Sequence, residues 1–373
     1  MNQQTRLRAR ALGISHWQCA TGPQNAITDV AGVRVGHVTR IEGEGALRPG
    51  IGPIRTGITV ILPHHGNLFQ EKVCAAVHTI NGFGKACGFE QVRELGVLET
   101  PLALTNTLNV WRVAEALAQY AIRHNPEIGI RTSTVNPVVG ETNDGYLNDI
   151  QGIHVHAEHV WEALTKATTS VEEGCVGAGT GTTCFGWKGG IGTASRQMSA
   201  QAGSYTIGAL VQSNFGAPEE LMIGDVAVGR QLTPPTKPIQ RPDPGSIMIV
   251  LATDAPLDSR QLHRLCVRAA AGLARTGSTL HHGSGDFVIA FSTARRIAHQ
   301  PQTLVQTLPV LGDEAQFMHW AFPAVVESVE EAVLNSLCMA TTLEGHDGHV
   351  RYALPLEDVR RLVIGRLSNY LMS

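Results

Sequence analysis

The chain has 373 residues, of which 43% are apolar, 40 are glycine and only 16% are charged. It is long enough for two or three ordinary domains or one large one, with a large interior. A net charge of −3 without a basic block points away from nucleic acid, and the longest apolar runs, such as residues 247–252, fall far short of the roughly 20 residues that span a bilayer.

Residues 1–10 are polar and basic, and the short apolar run after them is no signal-peptide core, so the expected location is the cytoplasm. So little surface charge implies surface buried against other copies, a homo-oligomer. Seven cysteines without C-x-x-C or regular spacing read as buried thiols rather than a disulfide framework or a zinc site.

In chain order, short apolar runs at 58–62 and 102–104 read as strands. A helix follows at 109–124, with Val110, Val113, Ala114, Leu117, Ala118 and Ala121 on one stripe. His154, His156 and His159 lack the carboxylate partner of a zinc motif, as do His346 and His349, so no metal is expected. The glycine-rich run 174–192 has neither a P-loop ending nor a dinucleotide fingerprint and reads as tight turns or a pocket wall, so no cofactor is expected. Strands follow at 206–212, 247–252 and 287–291, and a helix at Ser259–Arg275 turns Leu262, Leu265, Cys266, Ala269 and Leu273 inward. Ser328 with Glu331 matches a capping box for a last helix running to about Ala340. Strands apolar on consecutive positions are buried on both faces, which implies sheets sandwiched between helix layers.

One seam stands out. Residues 231–245 carry five prolines and no apolar period, then Ser246 opens directly into a core strand. That junction suits self-cleavage, with the Ser246 hydroxyl attacking the carbonyl of Gly245, where a missing Cβ frees the backbone to expose that group. The product would start with Ser246, whose α-amine, with a pKa of about 7.7–8.0, would be a base beside its own hydroxyl. On the dipeptide alone, an interdomain linker ending in an ordinary strand-start serine is the better explanation of the pattern. No G-x-S-x-G occurs, which argues against a nucleophile elbow.

The wider pattern narrows this. Residues 25–37 with Asn25, Asp29 and His37, Gly140-Glu141-Thr142-Asn143-Asp144-Gly145, residues 189–196, Asn214-Phe215-Gly216, Gly245-Ser246-Ile247 with residues 253–257, and His282-Gly283-Ser284-Gly285-Asp286 follow in order. Together they resemble the self-processing serine aminopeptidases that include L-aminopeptidase/D-Ala-esterase/amidase and the β-peptidyl aminopeptidases. The resemblance implies an α+β fold, a four-layer αββα sandwich similar to N-terminal-nucleophile (Ntn) hydrolases with different connectivity. It further implies one domain over 1–373, cut into 1–245 and 246–373 after the linker 231–245, and a homo-oligomer of processed heterodimers. By matching position Ser246 is the expected nucleophile, Ser284 and Asp286 its polar partners, and Asn214 and Tyr146 the oxyanion donors, with Asn143 as the alternative to Tyr146. Glu141 is expected to bind the substrate's ammonium. Small peptides, amides or esters with a free amino group are the implied substrates. Acyl transfer of the ornithine acetyltransferase type is the alternative, although those enzymes use threonine where this chain has serine. Local pattern alone also permits plain turns at Asn214 and at 282–286, and solvent-facing loop roles for Glu141 and Tyr146.

Overall fold

The computed structural model describes residues 5–235 and 245–370; most of the proline-rich connector, residues 236–244, lies outside the described residues. Ten strands build two sheets: β1 Arg34–Glu42, β2 Ile54–Leu62, β3 Glu71–Gly82, β4 Val97–Leu98, β5 Leu102–Asn106, β6 Val138–Thr142, β7 Gly190–Gln197, β8 Thr206–Asn214, β9 Ser246–Thr253 and β10 Gly285–Ala298. The first sheet runs β1-β2-β5-β6 and the second β4-β3-β10-β9-β8-β7. Most neighbours are antiparallel. Each sheet holds one parallel pair, β5 with β6 and β9 with β10, and a parallel pair needs a crossover. Helices supply it: after the short α1 Phe89–Leu95, α2 Val110–His124 joins β5 to β6, and α4 Ser259–Arg275 joins β9 to β10.

The alternation of side chains along β9 explains the unbroken apolar run. Ile247, Ile249 and Leu251 join the core shared with α4 and with helix α5, Glu314–Met339. Met248, Val250 and Ala252 point the other way into the core between the sheets, with Leu102, Leu104 and Val138. On the far side of the first sheet, Ile58, Val60 and Leu62 pack with Val113 and Leu117 of α2 and Val160 and Leu164 of helix α3, Ala157–Thr165. The layers are therefore helix, sheet, sheet, helix, the αββα sandwich expected from the sequence.

One expectation is corrected. The last core helix does not start at Ser328. It starts at Glu314, capped by the Asp313 carboxylate accepting from Gln316 N–H at 2.9 Å. Ser328 and Glu331 sit in its buried middle. There this helix face meets the N-terminal segment and β7, and Glu331 pairs with Arg10 of the one and Arg196 of the other. Apolar period alone also passed over β1, β3, β6, β7 and α3.

Three strand ends in the second sheet and one in the first converge. Asn214 closes β8 opposite Ser246, which opens β9 in register with Gly285 of β10. Thr142 closes β6 in the facing sheet, whose Gly140 lies against Met248.

Candidate active site

Ser246 is 4% exposed at the head of β9. Two N–H groups are directed at its Oγ: the Asn143 main-chain N–H at 3.3 Å and the Asn214 side-chain Nδ2 at 3.4 Å. The Asn214 amide is held in this orientation, because its Oδ1 accepts the Thr183 N–H at 2.8 Å and only Nδ2 is left to face Ser246.

On the neighbouring strand Ser284 Oγ donates to Asp286 Oδ1 at 2.6 Å. Burial pushes the Asp286 carboxyl up to about 6, against hydrogen bonds from Ser284 and the Ile247 N–H that favour its ionised form. Its second oxygen, Oδ2, is buried without a hydrogen-bond partner among the described residues. The carbonyl of Gly245 accepts the Gly285 N–H at 3.1 Å. A Cβ on Gly245 would stand 3.2 Å from Ser284 Oγ and 3.3 Å from Phe215 Cα. Glycine suits this close approach, since both contacts would be tighter than an ordinary Cβ makes.

Glu141, on β6, is 3% exposed. Its Oε1 accepts the Lys85 N–H at 2.9 Å and its Oε2 accepts the Thr107 hydroxyl. Burial raises its pKa, against the hydrogen bonds from Thr107 and the Lys85 N–H that favour its ionised form. Gly84 lies against it, since a Cβ there would come within 3.2 Å of Glu141 Oε1 and 2.5 Å of Phe287 Cε2. Tyr146 is placed differently. Its ring stacks on His349 at 4.5 Å and lies 3.5 Å from the Arg351 guanidinium carbon, and among the described residues no hydrogen bond joins it to Ser246.

The structure thus brings Ser246, Asn214, Asn143, Ser284 and Asp286 together, with Glu141 on the facing sheet and Tyr146 in the adjoining ring cluster. Sequence reasoning passed over Thr183, Thr107 and the Lys85 N–H, because nothing local marks a threonine whose role is to orient a neighbour. The glycine run brings backbones close: a Cβ on Gly177 would meet Thr59 and one on Gly190 would meet Gly174. His154 turns away to Asp149, while His156 lies against Arg112 and the ring of His159, and among the described residues no group of three ligating side chains is placed to hold a metal. No described helix is long and apolar enough to cross a membrane.

Two helix-flanked sheets with a polar site at one end make this chain an α+β sandwich protein whose candidate site lies where strand ends of both sheets meet. The chain belongs to peptidase family S58, whose family model matches residues 25–351. It is 40% identical over 370 residues to the beta-peptidyl aminopeptidase BapA of Sphingosinicella microcystinivorans, covering 95% of this chain and 91% of that protein. Among solved structures, a protein from Pyrococcus horikoshii OT3 superposes with a TM-score of 0.91 at 49% identity, over 96% of this chain and 99% of the other. The L-aminopeptidase D-Ala-esterase/amidase of Ochrobactrum anthropi, a prototype for the serine aminopeptidases and a variant among the Ntn hydrolase fold, gives 0.86 at 37% identity, over 96% and 98%. This chain is accordingly an aminopeptidase.

Proposed function

We propose that the protein is a self-processing aminopeptidase that cuts itself between Gly245 and Ser246 and then uses Ser246 to release the N-terminal residue of small peptides, amides or esters. The observation that carries this reading is the convergence of two N–H donors on the Ser246 hydroxyl beside the Ser284–Asp286 pair.

In processing, Ser246 Oγ attacks the Gly245 carbonyl carbon and its proton passes to the departing nitrogen as the C–N bond breaks. Water then hydrolyses the ester, which leaves a Gly245 carboxylate and restores the hydroxyl of Ser246, now bearing a free α-amine. The products are chains 1–245 and 246–373. In turnover the α-amine, a base near neutrality, takes the Oγ proton while Oγ attacks the substrate's acyl carbon, and gives it to the leaving amine. Water releases the acyl residue from the ester.

Asn214 Nδ2 and the Asn143 N–H serve as the oxyanion donors, with Tyr146 the other candidate; one such donor is worth ~10²–10³ in turnover. Ser284, with its proton directed to Asp286, orients the Ser246 hydroxyl or amine. Glu141 binds the ammonium of the substrate, which lets the site measure a free N-terminus. The family match is to peptidases, which favours water over an amine as acyl acceptor. We further read the working form as a cytoplasmic homo-oligomer of processed heterodimers: the low charged fraction supports the oligomer, the N-terminal stretch the location, and the family resemblance the processed heterodimers.

Intact mass and turnover of an amino-acid anilide, measured on wild type and Ser246→Ala, test the reading. Wild type should give two chains, hydrolyse the anilide and spare its N-acetyl form; Ser246→Ala should stay one inactive chain. An active, uncut wild type or an active Ser246→Ala would overturn it, and equal rates on the N-acetyl form would remove the Glu141 role.

A further inference from the structure

We propose that Arg351 is a positioning residue for the reaction, holding the groups on the oxyanion side of Ser246 in place from a segment more than a hundred residues away in the chain. The inference rests on the reading of Asn214 as an oxyanion donor.

Asn214 Nδ2 lies 3.4 Å from Ser246 Oγ, at the long limit of a hydrogen bond, so its usefulness depends on how firmly the amide is aimed. The aim comes from the Thr183 N–H on Oδ1 at 2.8 Å. Thr183 is in turn held through its side chain: its Oγ1 accepts the Arg351 Nε–H at 2.9 Å, in a buried contact. The same guanidinium lies over Tyr146, with its central carbon 3.5 Å from the ring centroid, and the ring also stacks on His349.

One buried side chain, 2% exposed, therefore touches both the support of Asn214 and the face of Tyr146. Only arginine does both at once. Its planar, permanently charged head stacks on an aromatic ring while its Nε–H donates in a fixed direction, whereas a lysine ammonium is a compact point charge on a flexible stem. Misplacing a reacting group by about 1 Å costs as much as 10²-fold in rate, so loosening Thr183 should appear in kcat.

The experiment compares Arg351→Met, Arg351→Lys, Thr183→Val, the Arg351→Met/Thr183→Val pair and Asn214→Ala. Each is measured for kcat and KM on an amino-acid anilide, for the rate of chain cleavage and for Tm. Both Arg351 variants should lower kcat by ~10-fold or more with KM within about twofold, and cleavage should slow in parallel. Thr183→Val, which keeps the main-chain N–H but removes the Oγ1 acceptor, should lower kcat several-fold. The pair should be no slower than Arg351→Met alone, because both act through one contact.

If Arg351→Met fails to fold, Arg351→Lys and Thr183→Val carry the test. A role confined to stability predicts a lower Tm with unchanged kcat and rescue by lysine; that result, or multiplying effects in the pair, overturns the proposal. Asn214→Ala separates the two layers of inference. If it leaves kcat unchanged, the oxyanion reading itself fails; if it costs ~10²–10³ while the Arg351 and Thr183 variants cost nothing, only the positioning role falls.

Discussion

Asp286 carries the most direct pH signature of the site. Its carboxyl is raised by burial from 3.8 to about 6, and in its ionised form Oδ1 accepts the Ser284 hydroxyl proton more strongly than the protonated acid does. Turnover should therefore take a second fall as pH drops through about 6, below the one the Ser246 α-amine sets near its pKa of about 7.7–8.0, and Asp286→Asn should lose only that lower step; a kcat/KM profile across about pH 4–9 checks this. The sign for stability is the reverse. The folded chain holds this proton more tightly than the unfolded one, so the carboxyl lowers stability as pH rises from about 4 to about 6. At this scale the sequence marked the reacting side chains but not their supports. Ser246, Ser284 and Asp286 stand in recognisable motifs, whereas Thr183 orients Asn214 through its main-chain N–H, a group every non-proline residue has and no motif can single out.

At the scale of elements, the helix α5 meets β7 so closely that a Cβ on Gly192 would lie 2.0 Å from the Ala332 carbonyl and 2.6 Å from Ser336 N. Main chain on both sides leaves no room for adjustment by a side chain. Gly192→Ala should destabilise the protein by about 1–3 kcal/mol, read as a lower midpoint in urea with an unchanged slope. Strands buried on two faces and helices with a clear stripe were legible in advance, because a period of 2 or 3.6 survives in the residue types themselves. The start of α5 was not. Its Ser328 and Glu331 mimic a cap, and what tells a cap from a buried polar pair is the partner: Asp313 accepts from a free helix N–H, while Glu331 meets arginines from other parts of the chain.

Across the whole molecule, Arg196 on β7 is fully buried between Glu327 at 2.9 Å and Glu331 at 2.8 Å on α5, and Glu331 also pairs with Arg10. His16 and Trp17 bind Glu330 on the same helix. Arg196→Met would leave buried carboxylates short of a counter-charge, a loss of about 3–5 kcal/mol, and a drop of that size in the free energy of urea unfolding is expected. The sequence by itself determined the layered class of fold, the junction at Gly245–Ser246 and the family resemblance, since apolar period, proline punctuation and local motifs are properties of neighbouring residues. Only the tertiary structure decided which side chains face Ser246, that Asn143 offers its main-chain N–H there while Tyr146 stacks on His349 and Arg351, and which carboxylates Arg196 neutralises. Those contacts join residues tens to hundreds of positions apart, and their geometry exists only once the sheets have packed.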